Sequence, residues 1–141
     1  MKAFVGVTDS DWFSFLSSWP GVEEVNFWQP SGAKQFRALE PSELFLFKLH
    51  APRNFIVGGA FFAYSTILPL SLAWDAFQEK NGVSSLDEMR LRIAKYRRAP
   101  PDPRSHHEVG CVLLVQPFFL EEAAWIRVPG DWRSEIVRGK T

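Results

Sequence analysis

Short apolar runs, each followed by a turn signal, divide the chain into strands and helices. Residues 2–7 and 25–28 are predicted to form short strands. Residues 44–49 are apolar on both faces, which predicts a central strand. A hairpin loop at 51–54 then leads into a returning strand at 55–64. Further strands are predicted at 36–39, 109–115 and 125–128.

Three helices are predicted between these strands. Residues 8–11 are rich in N-cap residue types and precede a short helix at 12–16, which Pro20 and Gly21 close. A second helix is predicted at 72–80 and ends at Asn81-Gly82. The third opens at a capping box at 85–88 and ends before the prolines at 100, 101 and 103. Its apolar face consists of Leu86, Met89, Ile93 and Tyr96.

The glycine pair Gly58-Gly59 lies in the middle of the returning strand. Glycine inside a strand marks a bulge, a barrel corner or the close approach of another backbone. Strands at both ends of the chain with helices inserted between them predict one α+β domain over residues 1–141. We expect a small curled β-barrel, closed or nearly closed, with helices packed on its outside.

Composition narrows the class of protein. The chain has 16 basic and 16 acidic residues, so it does not coat nucleic acid through bulk charge. A single cysteine, Cys111, excludes an internal disulfide and a multi-cysteine zinc site, and its apolar surroundings predict an inert buried thiol. No apolar stretch approaches the length of a membrane span. We therefore expect a cytoplasmic protein with no membrane partner.

The sequence contains few candidate catalytic groups. His106-His107-Glu108 is the one histidine cluster in the sequence, and neighbours on a loop make a poor preorganised metal site. The sequence has no nucleophile elbow and no phosphate-binding glycine loop. Asp9 and Asp11 are explained as helix-start residues. We expect no metal, no cofactor and no catalysis by this chain.

Aromatic and amide side chains adjoin one another at Asn26-Phe27-Trp28-Gln29, and a second group of aromatic residues, Phe61-Phe62-Ala63-Tyr64, follows the glycine pair. An amide presents a donor and an acceptor to a base edge, and a ring stacks on a base face for about 1–3 kcal/mol. Alternate aromatics on a strand also face the core, so about half of this set is accounted for by packing. Trp28, Gln29 and Tyr64 are the strongest candidates for a pocket.

Basic residues supply candidate phosphate contacts. One group lies on and after the third predicted helix, and a solvated helix face is the ordinary interpretation of such a run. A second group flanks the proposed pocket segments. The two groups are Arg90, Arg92, Lys95, Arg97, Arg98 and Arg104, and Lys34, Arg37, Lys48 and Arg53.

Several segments resemble the N-terminal half of bacterial HNH restriction endonucleases, in which a PUA-like domain akin to SRA, EVE and ASCH modules precedes the nuclease. The resemblance runs through residues 25–30, 44–49, 54–62, 110–119 and 136–141. It implies a PUA-like barrel that recognises a modified base swung out of the helix, with cleavage by the nuclease. No HNH motif is present, so we expect an isolated domain that does not itself cut DNA.

These observations combine into one hypothesis, a module that binds double-stranded DNA carrying a modified base, with modified cytosine favoured. An RNA-binding PUA-like domain and a protein-interaction module remain open as alternatives, as does a dimer of the full-length protein. The base pocket is assigned to Asn26, Trp28, Gln29, His50, Phe62, Tyr64 and Trp74. The phosphate contacts are assigned to Lys48, Arg53, Arg97 and Arg98.

Overall fold

A computed structural model describes residues 2–30, 32, 34–97, 107–128 and 135–138, with the backbone alone at Arg97 and at 135–138. The described strands are β1 (Lys2–Thr8), β2 (Glu24–Gln29), β3 (Leu44–Leu49), β4 (Phe55–Pro69), β5 (Glu108–Phe119), β6 (Ile126–Arg127) and β7 (Glu135–Arg138). The α-helices are α1 (Ser10–Ser17), α2 (Leu70–Phe77) and α3 (Leu86–Arg97). Short 3₁₀ turns cover Gln78–Asn81 and Glu122–Ala124.

The strands form one mixed sheet in the order β2-β5-β4-β3-β1-β7, with β6 paired to β4. β1 and β3 run parallel, and the other pairs run antiparallel. The α+β class is therefore confirmed. Among the described residues β2 and β7 each have one neighbour, so the sheet is not closed into a barrel by hydrogen bonds.

The sheet nevertheless curls strongly. β2 and β3 are three strand positions apart, which corresponds to roughly 14 Å in a flat sheet. The rings of Phe27 on β2 and Phe45 on β3 are only 4.7 Å apart between centroids. Curling therefore brings the β2 end of the sheet over the face of β3 and β1.

Gly58 and Gly59 lie where the neighbouring strands β5 and β3 approach β4 closely. A Cβ atom would lie 2.3 Å from the Phe118 carbonyl oxygen at Gly58, and 2.7 Å from the Phe45 carbonyl oxygen at Gly59. The pairing of β4 with β5 shifts register just after them, between Gly59 and Phe61. The interpretation of the glycine pair as a bulge with close backbone approach is confirmed.

Two cores lie on opposite faces of β5, because successive side chains of a strand point to opposite faces. Val112 and Leu114 join the core inside the curled sheet, beside Phe45 and Phe47. Cys111 and its alternate neighbours pack under α2 and α3. This second core contains Leu70, Ala73, Phe77, Val83, Met89, Ile93, Val109, Cys111 and Leu113. Full burial of each large apolar side chain contributes about 1.5–3 kcal/mol.

Some predicted elements were wrong. Residues 36–39 form no strand, because Phe36 and Leu39 pack into the inner core from a loop without a hydrogen-bonded partner strand. β4 continues to Pro69, five residues beyond its predicted end, and α2 begins at Leu70 and ends at Phe77. β7 was not predicted. On α3, Leu86, Met89 and Ile93 face the second core as predicted, whereas Tyr96 is exposed by 44%.

Candidate functional site

A cavity of about 240 Å³ opens beside the first turn of α1, where β1 and β2 approach each other across the curl of the sheet. Tyr96 reaches it from the end of α3, and His50 from the turn between β3 and β4. Five of its eleven lining residues carry Phe, Trp or Tyr rings, and Asp9, Gln29 and His50 add polar groups able to bind a ligand edge. The lining residues are Phe4, Gly6, Val7, Asp9, Trp12, Phe27, Trp28, Gln29, Pro30, His50 and Tyr96.

Gly6 sets the depth of this cavity. A Cβ atom there would lie 2.5 Å from Cζ of Phe45 and 3.4 Å from Cζ of Phe27. Phe45 is fully buried, so its ring has no room to withdraw. A side chain at position 6 would therefore displace the floor of the cavity, and glycine is the residue that leaves it open.

Asp9 has two roles, because it caps the start of α1 and also lines the cavity. Its side chain accepts a hydrogen bond from the Trp12 backbone N–H at 3.2 Å, as an N-cap residue does. Its Oδ2 also lies 3.4 Å from Nη1 of Arg92. Burial, with the charge and hydrogen bond of Asp9 in support, raises the pKa of Tyr96 to about 12. The Asp9 carboxylate thus joins α1 and α3 at the cavity edge.

The two tryptophans of the lining are fixed by a buried polar network. Trp28 donates its indole N–H to the Asn81 carbonyl at 2.8 Å, and Trp12 donates to the Asn26 carbonyl at 3.2 Å. The side chains of Asn26 and Asn81 are joined by a bond of 2.8 Å from Nδ2 to Oδ1, and both residues are fully buried. Because each indole has a fixed partner, the rings have fixed orientations around the cavity.

The structure brings together three of the seven residues assigned to the base pocket, Trp28, Gln29 and His50. Asn26 lies behind the wall, fully buried, with its amide facing Asn81 instead of the cavity. Its position on β2 alternates with that of Phe27, so the two side chains point to opposite faces.

Phe62, Tyr64 and Trp74 lie elsewhere. Phe62 and Tyr64 border a separate open depression formed with residues 35–41. Tyr64 is exposed by 49%, whereas Phe62 is buried in the inner core. Trp74 packs against the second core from α2. The prediction placed these three residues in the pocket because they lie on β4 or on the helix that follows it. Their positions in the sequence do not bring them to the cavity.

The residues assigned to phosphate binding also lie in different environments. Lys48 is 2% exposed, and its Nζ donates to Asn54 Oδ1 at 3.0 Å, so it is not presented to solvent. Arg53 is exposed and lies over the Trp125 ring. The side chain of Arg97 and all of Arg98 lie outside the described residues.

Several cavity residues were missed from the sequence. Asp9 was explained fully by its helix-capping role, and Trp12 and Tyr96 by helix packing. Gly6 carried the one signal available, a lone glycine within a predicted strand. His107, interpreted as one of several neighbours on a loop, is half-buried and hydrogen-bonds through its ring to the carbonyl of Pro30 at the cavity wall.

Neither a metal site nor a membrane span is found in the part of the chain that the structure describes. No group of three or more His, Cys, Asp or Glu side chains within it could hold a metal ion. No helix within it has the length and apolar character needed to cross a membrane.

The similarity of this chain to known proteins lies in its structure and not in its sequence. No protein-family model matches the chain, and no curated protein matches it in sequence. The ASCH protein of Zymomonas mobilis superposes with a TM-score of 0.59 at 10% identity, covering 97% of this chain and 88% of that one. A tyrosine-to-phenylalanine mutant of the same protein gives 0.59 at 11% identity, covering 99% and 92%. At such low identity the likeness concerns the fold alone, and the fold of this chain is similar to that of the ASCH protein.

Proposed function

We propose that this chain is a nucleic-acid-binding module that accepts one base in the cavity beside α1. The observation that carries the proposal is the cavity itself, in which aromatic walls surround the side chains of Asp9, Gln29 and His50. At about 240 Å³ it is smaller than the roughly 300–1,000 Å³ pockets of drug-sized ligands. A single planar heterocycle suits this volume better than a whole dinucleotide cofactor.

The polar groups favour a base that carries an amino group. A carboxylate accepts a hydrogen bond from N4 of cytosine, and an amide can pair with the edge of adenine. A carboxylate offers about four acceptor positions. Asp9 uses its carboxylate for the Trp12 N–H, Arg92 and Tyr96, which leaves capacity for one more donor. Asp9 therefore supports a bound base with an exocyclic amino group, of which cytosine is one.

The finer proposal is that the base is a modified cytosine extruded from duplex DNA, and that the chain supplies specificity to a modification-dependent HNH restriction endonuclease. Its support is the Asp9 carboxylate at the cavity and the resemblance of the sequence segments given above. Extrusion costs a few kcal/mol, which is comparable to the 1–3 kcal/mol gained by stacking one base on an aromatic ring. The binding energy is therefore of the size the mechanism needs.

A titration with matched oligonucleotides tests this proposal. We expect the protein to bind a duplex with one modified cytosine more tightly than the same duplex without it, and more tightly than the corresponding RNA. Tighter binding of RNA would reassign the site to an RNA ligand. Equal affinity for all of them, with no dependence on the base, would refute base recognition in the cavity.

Asp9→Asn tests the site directly. Asparagine caps a helix about as well as aspartate, so α1 is retained while the carboxylate acceptor becomes an amide. We expect binding of the modified duplex to weaken by about 1–3 kcal/mol, roughly 5- to 150-fold, because the amino group of the inserted base loses its acceptor, while a plain duplex held through its backbone should change less. Asp11→Asn is the matched control, because Asp11 is exposed in the same first turn and does not line the cavity. Equal losses in both variants would contradict a specific role for Asp9.

A further inference from the structure

Two exposed arginines lie at the ends of a row of two aromatic rings, Trp125 and Phe55, which are partly buried against the inner core. The Arg53 guanidinium carbon is 4.9 Å from the centroid of the Trp125 ring, and that of Arg127 is 4.6 Å from the centroid of the Phe55 ring. The two rings are 5.7 Å apart between centroids. Phe55 and Arg127 are also directly paired across β4 and β6. The four side chains therefore form one continuous row, which we term the arginine–aromatic row.

Neither arginine is neutralised within the described residues. The ion pairs found there join Lys80 to Glu24 and the α3 arginines to Asp87, Asp9 and Glu88. Glu121 and Glu122, the acidic residues nearest to Trp125 in sequence, pair with neither Arg53 nor Arg127 in that set. A guanidinium that stacks on a ring keeps its N–H edge available for an anion, in the fork geometry that suits phosphate oxygens. The row thus holds two pre-oriented positive charges that have no acidic partner among the residues the structure describes.

One end of the arginine–aromatic row, at Arg53, lies next to the cavity. The backbone N–H of Arg53 donates to the carbonyl of His50 at 3.0 Å, closing a tight turn between β3 and β4. The ends of such a turn are within about 7 Å between Cα atoms. His50 lines the cavity, so Arg53 lies one turn away from it. Val128, which follows Arg127, is tied to the same turn, since its N–H donates to the carbonyl of Asn54 at 3.0 Å.

We propose that Arg53 and Arg127 form a phosphate clamp that holds the backbone of the nucleic acid whose base enters the cavity. Its place beside the bound base rests on the proposed function. Phe55 and Trp125 position the guanidiniums, and the arginines contact two phosphates of the strand. Since the chain has no net charge, a local pair of arginines without an ion-pair partner in the described part of the chain is the kind of feature that would give it affinity for a polyanion.

The test measures the salt dependence of binding to a plain duplex and to the modified duplex. We expect Arg53→Ala and Arg127→Ala each to reduce the slope of log affinity against log salt by about 0.9, and the double variant by about twice as much. Both duplexes should weaken by the same factor, because phosphate contacts carry no base information. Arg37→Ala is the control. Arg37 is exposed and borders the separate depression near Tyr64, and its loss changes net charge equally.

The outcomes separate the clamp from the base site. Unchanged slopes in the double variant, or an equal change in Arg37→Ala, would overturn the clamp, as would the absence of any nucleic-acid binding at low salt. Reduced slopes without any preference for the modified duplex would support the clamp while refuting base recognition. Conversely, unchanged slopes with a preference that depends on Asp9 would leave the base site and remove the clamp. Melting curves of each variant show that the fold is intact.

Discussion

Asn81→Ala tests the buried network that fixes the cavity wall. The Asn81 side chain is fully buried and makes three hydrogen bonds, donating to the carbonyls of Ala73 and Gln78 at 3.2 and 2.9 Å and accepting from Asn26 at 2.8 Å. Truncation removes the Asn81 oxygen that accepts from Nδ2 of Asn26, and Oδ1 of Asn26 already has no hydrogen-bond partner among the described residues. An unsatisfied buried polar group costs about 1–3 kcal/mol.

With the lost bonds to the two carbonyls included, we expect Asn81→Ala to lower the free energy of unfolding by about 3 kcal/mol. That is a large part of the 5–15 kcal/mol typical of a domain, and it lowers Tm by roughly 10 °C for a chain of this size. Urea denaturation followed by tryptophan fluorescence and circular dichroism measures the loss. Ser84→Ala, at an exposed neighbouring position, is the control and should change stability by less than about 0.5 kcal/mol.

A double-mutant cycle sharpens this prediction. Removing Asn26 and Asn81 together eliminates the unsatisfied amide, so the double variant should lose less than the sum of the single losses, with a coupling of about 1 kcal/mol. Additive losses, or a loss below about 1 kcal/mol for Asn81→Ala, would refute the reasoning. Either result would mean that the amides do not act as one network.

Three further predictions concern Gly82, Cys111 and Tyr96. Gly82 has a φ of 77°, and a Cβ there would lie 2.2 Å from Cδ1 of Trp12, so Gly82→Ala should lower unfolding stability by at least about 2 kcal/mol. Gly21→Ala, at a φ of 72° with nothing within 4 Å, should lose only the backbone cost of about 1 kcal/mol, and equal losses would contradict the Trp12 contact. Burial raises the pKa of the Cys111 thiol, so a thiol reagent should label it only after urea unfolding, and rapid labelling of the native protein would refute this. Burial and Asp9 raise the pKa of Tyr96 from 10.0 to about 12, so its contribution to stability is complete below pH 10 and is lost as the pH rises through 12. Tyr96→Phe should flatten stability in that window and remove the latest tyrosine step in an alkaline absorbance titration, and an unchanged titration would count against the assignment.

The sequence determined those features that depend on local pattern. The segment Leu44–Leu49 is apolar on both faces, which identified an interior strand, since such a strand must be buried on two sides. Asp9 was placed correctly at the start of α1, because capping depends on residues a few positions away. Gly58 and Gly59 indicated a close approach, since glycine there avoids contacts that any Cβ would make. The α+β class followed from the order of these elements.

Tertiary structure decided the site. Whether Trp28 or Tyr64 faces a cavity depends on which strands the curl of the sheet brings together, and both residues have the same local pattern of an aromatic beside polar groups. Asn26 and Gln29 are both amides on β2, yet the first bonds to Asn81, 55 positions away, and the second lines the cavity. Strand alternation separates the faces of these two amides, but which face meets Asn81 and which meets the cavity depends on packing of the whole domain.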